Sequence, residues 1–467
     1  MNIIKILHYT LGLPPYRTGG LTKYATDLMI SQQKMGHEIF LLYPGQINLF
    51  GKEKISENKN FKGIWVFELV NPLPVPLRGG VINPTAFMKP LSNQELFKDF
   101  LNSINPDVIH VHTLMGIHCE FFDAANNLGI KTVFTTHDYF GICPTVNLFK
   151  YDSKACIDYD EGLGCAICNS NSYSLPLIRI MQSHLYKQMK NSSMIKSIRS
   201  RRSRVQFSEP NTLQEPHISK PNLLQYRAQY FRELRMYYGD ILRKIDLVLY
   251  NSSTTKEEYE HYYSLKGKVI PVTSYNIKDN RQVKKYDENS ILHITYFGPL
   301  EKYKGFFMLC DALKILLDKG VTNWELNVYG NGSEISLKGI AEHVKYHGRY
   351  QFNQQGDIFE HSDLVIVPSL WKETFGLVAL ESLSYGVPII ISKLVGAKDF
   401  VQNNDNGFIV EPNAECLTQV FARILNNRNI LSKMNNNICS GDFDFSIENH
   451  VKRILDTYKY IEKDNSK

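Results

Sequence analysis

No stretch of this 467-residue sequence approaches the run of about 18 apolar residues that a membrane-spanning helix needs. The apolar opening, MNIIKILHYTLGLPPY, runs into a Gly/Pro loop with no small-residue cleavage site behind it, which argues against a secretory signal. No G-x-G-x-x-G follows the first apolar run, so a dinucleotide fingerprint is not supported. The formal charge of +6 is too small over this length to create a strong field, and it does not by itself indicate nucleic acid. The eight cysteines are scattered apart from one cluster, unlike a disulfide scaffold, and a reducing cytoplasm fits best. What is present, 43% apolar and 21% charged residues, is the balance of a soluble globular chain too long for one core.

The order of elements sets the fold class. Residues 3–10 form a continuous apolar run, as expected of a strand buried on both faces of a parallel sheet. A loop, LGLPPYRTGG, and a helical pattern from about residue 21 to 34 follow. Strand, Gly-rich loop and helix present backbone N–H groups to phosphate, and Gly19 and Gly20 permit close approach because no Cβ intervenes. Residues 37–44, 63–70, 107–113 and 131–138 read as further strands, 71–90 as a long exposed loop, and 91–104 as an amphipathic helix. This alternation predicts a doubly wound α/β domain that binds ligands at the carboxyl ends of its strands. His112 and His137 each end a strand, where function concentrates. Residues 246–253 and 268–277 continue the sheet, and KDNRQVKKYDENS reads as a domain linker. Residues 291–305 then repeat the opening device with Gly298, and 324–332 form another strand ending in glycines.

The stretch VIVPSLWKETFGLVALESLSYGVPIII, residues 365–391, organises the second half. It reads as a buried strand, a loop, a helix over about 375–385 and a second buried strand. Thr374, Phe375, Gly376 and Leu377 would point free backbone N–H groups from a helix N-terminus, an anion site. Glu373 and Glu381 flank that site and could accept from hydroxyls at either end of one ligand. Phosphate at amides and hydroxyls at carboxylates suit a phosphorylated sugar. No D-x-D pair sits where a divalent ion would be needed.

This stretch resembles the donor-binding motif of retaining glycosyltransferases of family 4, and the resemblance runs along nearly the whole chain. It implies the GT-B fold, with two Rossmann-like doubly wound domains facing across a cleft. The first would span residues 1–280 with a cysteine-rich and helical insertion at 143–240, and the second residues 281–445. Residues 446–467 would form a helix packing back on the first. The T-x-H-D segment ending in His137 resembles the family's donor-sugar contact. The glycine pair Gly19 and Gly20 resembles its phosphate loop, and the glycines at 298 and 330 its nucleotide loops. Lys304 matches the family's diphosphate lysine, while Pro299 stands where the family has arginine. The resemblance further implies Glu373 at the donor sugar, Glu381 at the ribose, and front-face attack in which the leaving phosphate takes the acceptor's proton. No cofactor is then required for catalysis. The partners would be a nucleotide-sugar donor and a glycan or polyisoprenoid-linked acceptor. A GT-B phosphorylase or epimerase, or a non-catalytic nucleotide-sugar-binding homologue, is the alternative.

Two features lie outside that pattern. Cys143, Cys156, Cys165 and Cys168 follow the spacing C-x12-C-x8-C-x2-C, whose last pair can grip one tetrahedral ion. The expectation is a structural zinc site, with four free thiols or an iron–sulfur cluster as alternatives. A basic run, MIKSIRSRRSR, and an aromatic, basic helical stretch at 226–244 read either as a solvated helical insertion with a loop over the cleft or as a contact for an anionic membrane surface, through residues such as Tyr230 and Phe231, on the inner face of the plasma membrane. The run lacks a recognisable nucleic-acid module.

Overall fold

The computed structural model describes residues 3–48, 51–76, 80–152, 154–189, 192, 221–330, 337 and 339–463. Two sheets organise them. The first is built from β1 (Lys5–Tyr9), β2 (Glu38–Pro44), β3 (Lys54–Phe61), β4 (Ile64–Val70), β5 (Val108–Val111), β6 (Lys131–Thr136), β7 (Leu247–Tyr250) and β8 (Gly267–Val269). Its order is β3-β4-β2-β1-β5-β6-β7-β8. The second comprises β9 (Leu292–Phe297), β10 (Trp324–Tyr329), β11 (Val344–Gly348), β12 (Leu364–Val367), β13 (Ile389–Ser392) and β14 (Gly407–Val410). These run in the order β11-β10-β9-β12-β13-β14, and every pair is parallel. The central strands β5, β7, β12 and β13 are buried along their whole length, because helices cover both faces of each sheet. Strand order reverses beside β1 and β9, and there the crevice between connecting helices opens.

The first sheet holds a strand that the apolar pattern does not reveal. β3, KISENKNF, pairs antiparallel with β4 through a turn at Lys62 and Gly63, both at positive φ. It is an edge strand with most residues exposed, so no apolar stripe marks it, and its lysines and glutamate discourage further pairing. In contrast, the strand expected over 268–277 shrinks to Gly267–Val269. The remainder is spent on tertiary contacts, with Thr273 Oγ1 donating to Phe445 O at 3.0 Å and Ser274 Oγ donating to Asp27 Oδ2 at 3.1 Å.

The polar segment expected to be a linker is fastened to the second sheet's unit. Arg281 Nη1 donates to Ile438 O and Gly441 O at 2.7 and 2.6 Å, and Lys284 Nζ reaches three carbonyls between Phe359 and Ser362. Helix Ile447–Lys463 returns to the first sheet and packs against helix Gly20–Lys34. Tyr24 OH meets His450 Nε2 at 2.8 Å, and Tyr458 OH meets His110 Nδ1 at 2.6 Å.

Helix Pro221–Lys244 lies between β6 and β7 and corrects the membrane reading for Phe231, while Tyr226 and Met236 are exposed and Tyr230 half-buried. Phe231, Leu234, Tyr238, Ile241 and Leu242 are all buried in the first sheet's core, so they offer no face to lipid. The basic run at 194–204 lies outside the described residues. No helix among the described residues is long and apolar enough to cross a membrane.

Candidate active site

Both sheets aim the carboxyl ends of their strands at one cavity of about 380 Å³. Gly20, Leu21 and Tyr24 enter from the helix after β1, His137 from the end of β6 and Asn251 from the end of β7. Opposite them stand Phe297 at the end of β9, Pro368 and Ser369 after β12, and the segment from Trp371 to Glu381.

The loop entering helix Leu377–Ser384 is folded so that its N–H groups remain available. Glu373 N donates to Leu394 O, and Gly396 and Ala397 donate to the carbonyls of Glu373 and Phe375, so residues 373–375 are sewn to 394–397 from behind. Ser252 Oγ takes up the carbonyl of Thr374 at 2.6 Å, and Ala379 N that of Gly376. With these carbonyls occupied at the back, no backbone acceptor takes the N–H groups of Thr374, Phe375, Gly376 and Leu377 among the described residues. Gly376 holds φ 94, and a Cβ there would lie 2.8 Å from Val395 Cγ1, so glycine is required for this turn. The helix dipole adds roughly half a positive charge at the same point. Phe375 itself is buried against Phe400, so it faces the cavity through its backbone.

Charged side chains frame these amides. Lys304 Nζ sits 2.7 Å from Glu373 Oε1, and Ser369 Oγ donates to Glu373 Oε2 at 2.7 Å. Lys304 also lies 5.1 Å from the centroid of Trp371, whose Nε1 is buried without a hydrogen-bond partner among the described residues. Glu381 projects one turn into the helix beside Gln355 and Tyr350, and burial raises its pKa against the helping pull of Gln355 and Lys23.

His137 faces this group from the first sheet, and its backbone carbonyl accepts from Thr374 Oγ1 at 3.1 Å. Burial pushes its pKa down to about 3, with repulsion from His450 adding to the effect, so the ring is neutral near pH 7. His112 stands one layer back. It is fully buried, with Nδ1 3.4 Å from His137 Nε2 and Nε2 3.0 Å from His8 Nδ1. Its access to a donor therefore runs through His137, which corrects the expectation of direct contact. His8 Nε2 ends the chain on Gln32 Oε1 at 2.8 Å. With that oxygen accepting, each ring carries its proton on Nε2, leaving His137 Nδ1 as an acceptor.

Asp138 accepts from Phe140 N at 2.9 Å and Thr113 Oγ1 at 3.5 Å, and burial lifts its pKa to about 6. A carboxyl that holds its proton more tightly folded than unfolded costs stability as pH rises from about 4 to 6. Asp138→Asn is therefore expected to remove a loss of roughly 1–3 kcal/mol across that window. Urea titrations of both proteins at pH 4.5 and 7 check this, and equal pH slopes would contradict it.

The expected glycines separate into two groups. Gly20 lines the cavity, with open space where a Cβ would stand, while Gly19 at φ 120 shapes the turn before it. Gly298 and Gly330 lie outside the cavity lining. A Cβ on Gly330 would fall 1.7 Å from Gly298 O, so this pair lets the ends of β9 and β10 touch. Ser369, Trp371, Tyr24, Tyr296, Tyr350 and Asn251 also line the cavity, although no pattern had singled them out. Trp371 is one of only three tryptophans and lies two residues before Glu373, the one signal that could have flagged it.

Two facing Rossmann-like α/β units with a cleft at their strand ends define a GT-B glycosyltransferase fold. A solved structure of Anabaena Alr3699/HepE in complex with UDP superposes with a TM-score of 0.55 at 15% identity, covering 98% of this chain and 100% of that one. The family model "Glycosyl transferases group 1" matches residues 276–439, and "Glycosyltransferase Family 4" matches residues 18–158. The chain belongs to this family of group 1, family 4 glycosyltransferases. An "uncharacterized 42.6 kDa protein in cps region" of Klebsiella pneumoniae is 21% identical over 420 residues, 88% of this chain and 90% of its own length. An Escherichia coli UDP-Gal:alpha-D-GlcNAc-diphosphoundecaprenol alpha-1,3-galactosyltransferase is 34% identical over 110 residues, 23% of this chain and 27% of its own. Several curated relatives, among them the first found, are matched over less than half of their own length.

Proposed function

We propose that this chain is a retaining transferase that moves a sugar from a nucleoside diphosphate sugar to a glycan or lipid-linked acceptor in polysaccharide or glycoconjugate synthesis. The observation that carries the reading is the row of N–H groups at 374–377 that no backbone acceptor takes among the described residues, set between Glu373 and Glu381 and opposite His137. The diphosphate lies on those amides and Lys304, while the sugar hydroxyls meet Glu373 and His137 Nδ1. The galactosyltransferase relative, named for a UDP-sugar donor and a lipid-linked acceptor, makes UDP-sugars the first donors to try.

The chemistry needs no protein base. His137 is too weakly basic to hold a proton at neutral pH. Both oxygens of Glu373 are held, by Lys304 and Ser369, which disfavours their use as a nucleophile. The anomeric C–O bond to phosphate breaks, the acceptor oxygen bonds on the same face, and its proton passes to the leaving phosphate. Amides and Lys304 stabilise the departing charge, the largest contribution expected of such a site.

A thermal-shift panel of UDP, GDP, ADP and their sugars tests donor binding. A ligand at 100 times its Kd adds about 2.7 kcal/mol, and a panel without any shift would refute the proposal. Turnover of the donor that shifts, followed as released diphosphate with an acceptor present, tests transfer. The anomeric configuration of the product tests retention. Pro299 in the arginine position favours a binding-only homologue as the second reading, and a bound donor that never turns over would support it. Glu381→Ala is expected to weaken nucleotide binding about 10- to 100-fold, the loss of hydrogen bonds to a charged group. Calorimetric titration with the nucleoside diphosphate reads this directly.

A further inference from the structure

The four cysteines between residues 143 and 168 come together from three short segments. Cys143 closes a turn, its N–H donating to Tyr139 O at 2.6 Å. Cys156 ends a small hairpin, joined by the bridge between Phe149 and Ala155 and by its N–H to Leu148 O at 2.7 Å. Cys165 and Cys168 lie one turn apart on helix Leu163–Cys168. None is in a disulfide; Cys143 and Cys165 are buried in the first sheet's core and Cys156 packs against it, with Cys143 Sγ 3.2 Å from Thr145 Oγ1 and Cys156 Sγ donating to Asp158 O at 3.3 Å. No three of these sulfurs lie within 4.8 Å of one another, so the site must close on an ion. Among the described residues, the one set of three donors within 4.8 Å of one another is His8, His110 and His112. Every ring nitrogen of that set already has another partner, in His137, Gln32, Tyr458, Thr135 or within the set.

A second observation points to the thiols. Arg235 is only 5% exposed, stacked 4.0 Å from the ring centroid of Tyr159 and 4.4 Å from that of Tyr262. Its Nη1 donates to Ile142 O, while Nη2 has no partner among the described residues. The ionisable groups that act on it most strongly are Cys165, Tyr262, Cys143 and Tyr263, with the Tyr262 hydroxyl within hydrogen-bonding reach. A buried cation among neutral groups is unfavourable unless a negative charge completes the site. Four thiolates around a divalent ion carry a net charge of −2, formed as each thiol releases its proton.

We propose that Cys143, Cys156, Cys165 and Cys168 hold one structural Zn²⁺ as a tetrathiolate, with Arg235 as its counter-cation. Binding draws the hairpin and helix together and braces Phe149, whose ring lies 6.4 Å from that of Tyr303. Tyr303 O accepts from Leu370 N at 2.8 Å and its ring packs 5.7 Å from Trp371, immediately before Lys304. The ion therefore steadies one wall of the cleft without touching substrate.

Elemental analysis of the full chain, purified under reductant and reconstituted with Zn²⁺ without oxygen, should find one zinc per chain. Removal by a chelator should lower Tm by at least ~5 °C. Cys156→Ser and Cys168→Ser should release zinc to a chromogenic chelator far faster than Cys310→Ser, and Arg235→Met should weaken zinc about 10- to 100-fold. A reconstituted protein without zinc, or one with iron, sulfide and absorption near 400 nm instead, overturns the proposal. Unchanged affinity in Arg235→Met overturns the counter-cation role. Metal content is read without activity, so failure of the sugar-transfer reading would leave this result intact.

Discussion

Replacing Lys304 with alanine is expected to lower kcat/KM for sugar transfer by about 10²–10³-fold, the range for losing one preorganised group at developing charge. Lys304 pairs directly with Glu373 in the cavity, and Pro299 supplies no second charge at the end of β9. The same substitution takes the cation from Glu373, whose side chain is 14% exposed and keeps Ser369 as a donor. Part of any loss could therefore come from a destabilised loop rather than from chemistry. Glu373→Gln combined with Lys304→Ala separates the two effects. The neutral pair should recover most of the Tm lost by Lys304→Ala yet stay inactive. If activity returned with stability, Lys304 would be a structural lysine and the leaving-group role would fall.

Gly305→Ala is expected to be the most damaging small substitution near the site, costing about 3 kcal/mol or more of stability. Gly305 holds φ 75, and a Cβ there would stand 1.9 Å from Pro368 O, a backbone atom at the end of β12 that cannot swing aside. Relief requires helix Phe306–Asp318 to move off the second sheet, carrying Lys304 away from Glu373. Urea denaturation should therefore show a lower midpoint, and kcat should fall in the protein that remains folded. Gly20→Ala provides the contrast. Nothing lies within 4 Å of its Cβ and its φ is ordinary, so the fold should be untouched while the cavity narrows. Equal stability losses at the two positions would show that the clash at Gly305 is relieved by relaxation.

These contrasts also show what the chain's letters reveal. Strands buried on both faces announce themselves as apolar runs, which is why β1, β5, β12 and β13 were legible and the α/β class with them. β3 is wetted on an edge and carries no such mark. The same limit applies to side chains. Strand-end position drew attention to His112 and His137 alike, yet only packing tells which ring meets the cleft and which supports it from behind. Glu373 and Glu381 were readable because a helix N-terminus gives acids nearby a shared purpose. Trp371, Tyr24 and Asn251 were not, since their roles depend on which way unrelated strand ends point. The segment around Arg281 looked like a linker on composition, but carbonyls at distant helix ends claim its charges.

The return of helix Ile447–Lys463 bears on how such a chain is made. Tyr458 OH caps His110 across 348 residues of sequence, and Gln32 meets the same hydroxyl. While the ribosome is still adding those residues, which takes roughly 20–70 s, the first sheet has its strands but not the lid over its buried histidines. The newborn amino-terminal half therefore waits, polar heart open, until helix Ile447–Lys463 emerges and seals the first sheet to form.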